Sequence, residues 1–325
     1  MAVPVTSRPS TTGSKCLADG SVNRSFSHVL LYHGAYARVP AELGSSLHNV
    51  TPDALFRQLE WMKQHFDVVR LDDLLNMEDR RGTVSVTFDD AYKSVFDEAL
   101  PVLETLQVPA TVFVIGCTLS GDIFWRDKVR LLISAGHVER FVDWAEAFCA
   151  ANGITKGNFY KRSKDPAVDS RKIDDLMADF LTAFGNTQED VTRFCVDAGT
   201  DLPRHELLAY GNHSLNHYVF SSLQNAVQRD QIQANKEVLA RMNLPVSDVF
   251  SIPFGGLDTF TPHTLRCIGD SGYRAALLSR GRLNAQNTGA LAKLSGFPVI
   301  ERYMPPGTLA EFQHQVSVLE KAALG

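Results

Sequence analysis

The run Thr83-Val84-Ser85-Val86-Thr87-Phe88 constrains this chain more than any other stretch. It reads as a buried strand with a β-branched bias, and it ends in two adjacent carboxylates, Asp89 and Asp90. A helical stretch over 94–107, gently broken at Pro101, comes next. A second apolar strand over 109–115 then stops at Gly116. Strand, crossover helix and strand in that order imply parallel neighbours in one sheet.

The same rhythm runs through most of the chain. Residues 28–33 form a short apolar strand. Thr51 reads as an N-cap with Pro52 at the first helical position, and Leu55, Leu59, Met62 and Phe66 continue at helical spacing. A strand over 67–71 and a short helix over 71–77 complete the first half. Later come a strand at 207–211, a helix at 224–242, a strand at 248–253, a helix at 262–269, strands at 274–278 and 297–302, and a helix at 309–321. Seven or eight strands alternating with helices make this an α/β chain, expected as a distorted (β/α)-type barrel. Residues 118–205 break the rhythm. They predict helices over 123–135, 138–151, 170–184 and 187–198 around a polar loop at 152–169, read as a helical insertion packed over one end of the barrel. Residues 1–27, rich in Ser, Thr, Pro and Arg, read as a flexible tail ahead of a barrel spanning 28–325.

Bulk properties exclude several functions. With 325 residues and 44% apolar content, a large core is within reach. A net charge of −5 without a basic block argues against a nucleic-acid partner. The five cysteines (Cys16, Cys117, Cys149, Cys195 and Cys267) are odd in number and form no CxxC pair, which favours reduced thiols over a disulfide framework or a Cys metal site. The N-terminus lacks the apolar core of a secretion signal, and no run is long enough to span a bilayer. The expected location is cytoplasmic, at most peripheral to an inner membrane.

In a barrel of this kind chemistry gathers at the C-terminal ends of the strands. Asp89 and Asp90, His33, the pair His213 and His217, and Pro253-Phe254-Gly255 all fall at such ends. Thr87 and Asp89 share one face of their strand, while Asp90 lies where alternation lapses, so the two acids reach one site in different orientations. One can bind a metal while the other accepts a proton. An isolated Asp pair is more often a turn or a helix cap; the apolar strand before it and the histidines favour the functional reading. His213 and His217, four residues apart, converge either on one helical face or across a loop-to-helix junction, and neutral imidazoles suit borderline divalent metals. Two Asp and two His are the parts of a metal-assisted hydrolase.

These motifs resemble the polysaccharide deacetylase family, carbohydrate esterase family four. Thr87-Phe88-Asp89-Asp90 is similar to its first motif, His213-Ser214-Leu215-Asn216-His217 to its His-Ser/Thr-x-x-His motif, and Pro253-Phe254-Gly255 to the core of its third. The resemblance spans roughly 28–305, apart from the insertion. It implies a distorted (β/α)7 barrel, a divalent metal on Asp90, His213 and His217, and Asp89 as general base. The metal expected is Zn2+ first, with Co2+, Ni2+, Fe2+ or Mn2+ as alternatives. The chain departs from the family pattern in three places. Ala91 stands where a Gly usually follows the Asp pair. Ser251 replaces the third-motif Arg that orients the base. The late His that serves as general acid is missing from 297–302. One branch of the family opens with a Tyr-His strand whose His serves as acid, and Leu31-Tyr32-His33 resembles that opening. His33 is therefore the candidate acid. Arg302 is the candidate to supply the missing cation beside Asp89, the alternative being a surface salt bridge.

The resemblance implies removal of an N-acyl group, N-acetyl first, from an amino sugar in polysaccharide or glycoconjugate assembly, lipopolysaccharide included. The Phe254 backbone N–H is expected at the oxyanion, and His33 is expected to be charged at the moment it protonates the departing amine, helped by the nearby carboxylate. The sugar is expected to be nucleotide-linked, lipid-linked or terminal on a glycan. Tyr92, Phe124, Trp125 and Tyr218 can line a sugar cleft or belong to the core. The rival functions are a deformylase or amidase acting on a non-sugar or N-formyl substrate, and a catalytically silent glycan-binding homologue.

Overall fold

The structure, a computed structural model, describes residues 22–325 except 45, 185–193, 198–201 and 286. Its strands are β1 (His28–Tyr32), β2 (Asp67–Val68), β3 (Thr83–Phe88), β4 (Ala110–Val114), β5 (Leu208–Asn212), β6 (Val246–Ser251), β7 (Ala275–Leu278), β8 (Lys293–Leu294) and β9 (Phe297–Glu301). Every residue of β1, β3, β4 and β7 is buried, as strands covered on both faces must be. β1, β3, β4, β5, β6, β7 and β9 pair in that order, all parallel, with β8 antiparallel on β9 and β2 parallel on β3. The two ends meet: Leu31 N–H donates to the Tyr303 carbonyl at 2.9 Å and Tyr303 N–H to that of Val29 at 3.3 Å. The fold is thus a distorted seven-stranded (β/α)-type barrel, with Val29, Phe113, Val249, Leu277 and Ile300 in one of its apolar clusters.

Local chemistry sets the helix ends. Thr51 Oγ1 accepts from Ala54 N–H and Pro52 opens the helix Pro52–His65. The helix expected over 94–107 is a wide π-turn, Val95–Ala99, leading into an α-helix, Leu100–Leu106. Pro101 has no N–H to return to the preceding turn, and the widened turn absorbs the gap.

Between β4 and β5 lie the helices Trp125–Ser134, Val138–Trp144, Glu146–Ala151, Phe159–Arg162 and Ser170–Ala183. They form a second core around Leu132, Phe141, Phe159, Met177 and Phe180, continuous with Tyr92 and Ile115 of the barrel. The helix expected over 138–151 divides at Ala145, and a short helix interrupts the expected loop at 152–169. Of the helix expected at 187–198, residues 187–193 and 198 lie outside the described residues. Residues 194–197 are not helical, because their backbone bonds go to the loop after β3: Lys93 N–H donates to the Phe194 carbonyl and Val196 N–H to that of Ala91. Of the expected tail, residues 1–21 lie outside the described residues, but Phe26 packs in the core and Ser27 is buried. No described helix is long and apolar enough to cross a membrane.

Candidate metal centre and active site

Two sharp turns at neighbouring strand ends bring the acidic pair and the histidines together. After β3 the chain passes through the left-handed region at Asp90 (φ 71°) and Ala91 (φ 54°). After β5 it does so again at Ser214 (φ 63°) and His217 (φ 59°). Asn212 Oδ1 accepts from Ser214 N–H at 2.8 Å, and Ser214 Oγ accepts from His217 N–H at 2.9 Å, so a loop, not a helix, aims both imidazoles.

His213 Nε2 lies 3.5 Å from Asp90 Oδ1, and His217 Nε2 lies 3.6 Å from the same oxygen. One ligand atom from each of Asp90, His213 and His217 falls within 4.8 Å of the others. Ligands about 2.0–2.2 Å from a shared cation at roughly tetrahedral angles would have such separations. Other observations fit a metal too. Asp90 Oδ1 is buried with no hydrogen-bond partner. His213 Nδ1 donates to the Ser251 carbonyl at 2.9 Å, leaving Nε2 with its lone pair toward Asp90. Burial first, and for His217 then the neighbouring His213, holds both imidazoles neutral, as ligands must be.

The other carboxylate is committed differently. Asp89 receives both arms of the Arg302 guanidinium, Nη1 to Oδ1 and Nη2 to Oδ2, each at 2.8 Å. Ser251 Oγ accepts from Arg302 Nη2 at 2.8 Å and donates weakly to Asp89. Arg302 also donates to Ser279 Oγ and Thr87 Oγ1. Arg302 is fully buried, which excludes a surface salt bridge. The two acids therefore separate. Burial would raise Asp89, but Arg302 and then His213 outweigh it and hold the carboxyl below the usual range. Burial, and then Asp89 itself, push Asp90 well above that range.

These groups open on a cavity of about 270 Å³. His33 lies in its wall, with Nδ1 3.4 Å from His48 Nδ1. His48 Nε2 donates to the Pro305 carbonyl at 2.9 Å, so its Nδ1 carries a lone pair and the proton between the rings belongs to His33. At rest His33 is neutral. Burial, followed by His48, pushes its pKa down to about 3, and the opposing pull of Asp89 is too weak to keep the ring protonated.

The aromatic candidates divide. Phe254 (φ 64°) lines the cavity, its ring 4.8 Å from that of His217, and Phe124 joins it. Tyr92 and Trp125 do not line the cavity, and both are fully buried. Each has a polar tip that needed a partner and found one inside: Tyr92 Oη donates to Asp127 at 2.7 Å, and Trp125 Nε1 donates to the His217 carbonyl at 2.7 Å. Tyr218 is likewise core, bonded to Asp174. Sequence reasoning missed His48 and the cations Arg126, Arg130 and Lys164, which also line the cavity. None sits in a motif, and the insertion supplies three of the four.

Residues 76–139, which include the acidic pair, match the family model described as polysaccharide deacetylase. No curated protein sequence matches the chain at a significant level. Among solved structures, the Streptococcus pyogenes deacetylase PplD in complex with acetate superposes with a TM-score of 0.52 at 14% identity, over 90% of this chain and 97% of that one. IcaB from Ammonifex degensii gives 0.53 at 16% identity, over 92% and 98%. Those identities speak for the shared fold. The chain thus shares the fold of these proteins, and its segment 76–139 is similar to the polysaccharide deacetylase family.

Proposed function

We propose that this protein is a metal-dependent hydrolase that removes an N-acyl group, N-acetyl first, from an amino sugar destined for polysaccharide or glycoconjugate assembly. One observation carries the reading. An ionised Asp89 clamped by Arg302 stands beside the Asp90, His213 and His217 triad, whose buried carboxylate oxygen has no other partner. The family segment and the fold support the same chemistry, and PplD is a deacetylase.

Asp90, His213 and His217 would hold the cation, Zn2+ first. When bound, such a cation acidifies water and polarises an acyl carbonyl. Asp89 accepts the proton of the attacking water; Arg302 keeps the carboxylate ionised and fixes its plane. The backbone N–H of Phe254 is placed in this scheme at the developing oxyanion. His33 delivers a proton to the leaving nitrogen. Because burial holds His33 neutral at rest, it must take up that proton during the cycle, and the proton Asp89 accepts from the attacking water is its source. The cavity of about 270 Å³ lies below the usual range for ligand pockets, ~300–1,000 Å³, which favours one terminal or small sugar over a chain threaded through the site.

The test is metal analysis of the purified protein joined to an acyl-release screen on N-acetyl and N-formyl amino-sugar conjugates. Acetate release with one metal per chain is expected, and Asp89→Asn should abolish turnover with the metal retained. Formate release alone would turn the reading to a deformylase. Metal at full occupancy with no acyl release would leave a silent binding homologue and sink the proposal.

A further inference from the structure

The charges around the cavity do not balance. Asp89 is paired with Arg302, and Asp127 with Arg130 at 2.5 Å. Asp90 is then the remaining anion in the wall, while Arg126 and Lys164 remain as cations. Among the described residues neither has a carboxylate within ion-pair distance. Arg126 donates to Ser163 Oγ at 2.9 Å and to the Tyr160 carbonyl at 3.1 Å, both neutral acceptors. Its guanidinium lies over the Trp125 and Tyr160 rings, and the Lys164 ammonium lies over the same Tyr160 ring at 5.2 Å. Arg130 adds a buried Nε–H with no acceptor.

This arrangement is electrostatically unfavourable as it stands. Burial, and then Arg130, push Arg126 down to about 10; burial, and then Arg126, push Lys164 down as well. Buried cations without anions are costly, and a chain keeps them where something completes them. A divalent cation on Asp90, His213 and His217 would only add to the positive excess. The missing partner is an anion, and it must reach the cavity from outside.

We infer that Arg126, Arg130 and Lys164 form a binding site for a phosphoryl group carried by the substrate. The two unpaired cations match the two charges of a phosphate, and Arg with Lys is the usual pairing for phosphate oxygens. The inference rests on the deacylase reading for the rest of the substrate, an N-acyl amino sugar with its acyl group at the metal centre. The three residues belong to the helical insertion, which thereby acquires a role in substrate choice: a neutral glycan leaves the cations uncompensated, while a sugar phosphate or diphosphate does not.

The first test needs no turnover. The full-length protein is stripped of metal with a chelator, so that phosphate cannot be held by a cation at Asp90, and is titrated calorimetrically with inorganic phosphate at fixed ionic strength. Saturable binding is expected, and the half-buried Lys164→Gln should weaken it about tenfold. Arg126→Gln serves as a second variant, with thermal melts confirming that each variant is folded. Absence of saturable binding to the folded wild type overturns the site, and so does unchanged affinity in both variants. Acetate binding as tightly as phosphate overturns the phosphoryl assignment. In the second test, the metal-loaded enzyme compares N-acetylglucosamine with its 1-phosphate, its uridine diphosphate conjugate and a polyprenyl diphosphate conjugate in detergent. At least an about tenfold preference in kcat/KM for one of the charged forms is expected, reduced in Lys164→Gln; the preferred form tells a nucleotide from a lipid source. Equal kcat/KM for neutral and charged sugars overturns the inference. Acyl release from none of the four, with phosphate binding intact, would defeat the deacylase reading while supporting the anion site.

Discussion

Arg302→Met tests the organisation of the site most directly. The substitution removes both 2.8 Å bonds to Asp89 and the donors to Ser251, Ser279 and Thr87. Asp89, 2% exposed, is left with one weak hydroxyl contact. Removing one partner of a buried pair costs about 3–5 kcal/mol, because the surviving charge stays desolvated. Asp89→Asn alone strands a fully buried guanidinium at a cost of the same order. The double variant strands neither, so its loss should fall about 2–3 kcal/mol or more short of the summed singles. Urea unfolding of the metal-free proteins measures all three.

The sign of the pH dependence is fixed by the same pair. Asp89 has a depressed pKa in the fold, so its ionised form stabilises the native state. That contribution is complete above the unfolded Asp value of about 3.9 and is lost as pH falls toward the folded value. Without Arg302, burial raises Asp89 above that unfolded value, so the gap between wild type and Arg302→Met should be widest at neutral pH and narrow steadily as pH falls. Additive single-variant losses, or a gap that widens in acid, would refute the reasoning.

Other perturbations separate the remaining parts. Saturating Zn2+ should raise the melting temperature of the wild type, by about 2.7 kcal/mol of stability at a hundredfold excess over Kd. His217→Ala should show no such rise; an equal rise would move the metal elsewhere. Trp125→Phe leaves the His217 carbonyl without its donor, costing about 1–3 kcal/mol, and should also weaken metal binding in a chelator competition. Unchanged metal affinity would show that the insertion does not tune the centre. Gly255 is left-handed (φ 62°), and a Cβ there would lie 2.5 Å from the Ser279 nitrogen. Gly255→Ala should therefore cost about 2–4 kcal/mol in urea unfolding, and a neutral result would contradict the geometry. Glu320 is pushed up to about 7 by burial, so it costs stability as pH rises from the unfolded Glu value of about 4.3 toward 7, and the full cost is present above that. Glu320→Gln should melt higher than wild type at pH 8 and match it near pH 4; the reverse order would contradict the sign.

How legible each part was depended on whether its cause is local. The barrel strands announce themselves because a strand buried on both faces must be apolar throughout, as in β3 and β4. The acidic pair and the two histidines were readable for a similar reason: each group lies within one turn. Arg302 could be named as the cation beside Asp89 but not placed, since its burial depends on the last long strand closing against the first. Tyr92 and Trp125 were ambiguous because an aromatic ring serves a sugar face or a core equally well. The choice was made by distant partners, Asp127 for one and the His217 carbonyl for the other. His48, Arg126, Arg130 and Lys164 carry no sequence signal, because their convergence is a product of how the insertion docks.

That docking also explains how the strained turns survive. Five of the eight described non-glycine residues with positive φ lie at the site: Asp90, Ala91, Ser214, His217 and Phe254. At about 1–3 kcal/mol each, such conformations persist only where the surroundings over-determine them. The restraints are specific. Asn235 donates to Asn212 Oδ1 at 2.9 Å, the same oxygen receives Ser214 N–H, and Ser214 Oγ receives His217 N–H. On the other side, Val196 N–H donates to the Ala91 carbonyl, and Cys195 Sγ reaches Asp127, which also holds Tyr92. The insertion therefore braces both turns that present the acids and the imidazoles, one through Trp125 and the other through residues 194–197. Ala91, where a glycine would relax the backbone, is tolerated because its carbonyl is tied down and its methyl is fully buried. A segment read from the sequence as helices packed over one end of the barrel is thus also part of what holds the geometry of the candidate site, and it carries Arg126, Arg130 and Lys164 into the cavity.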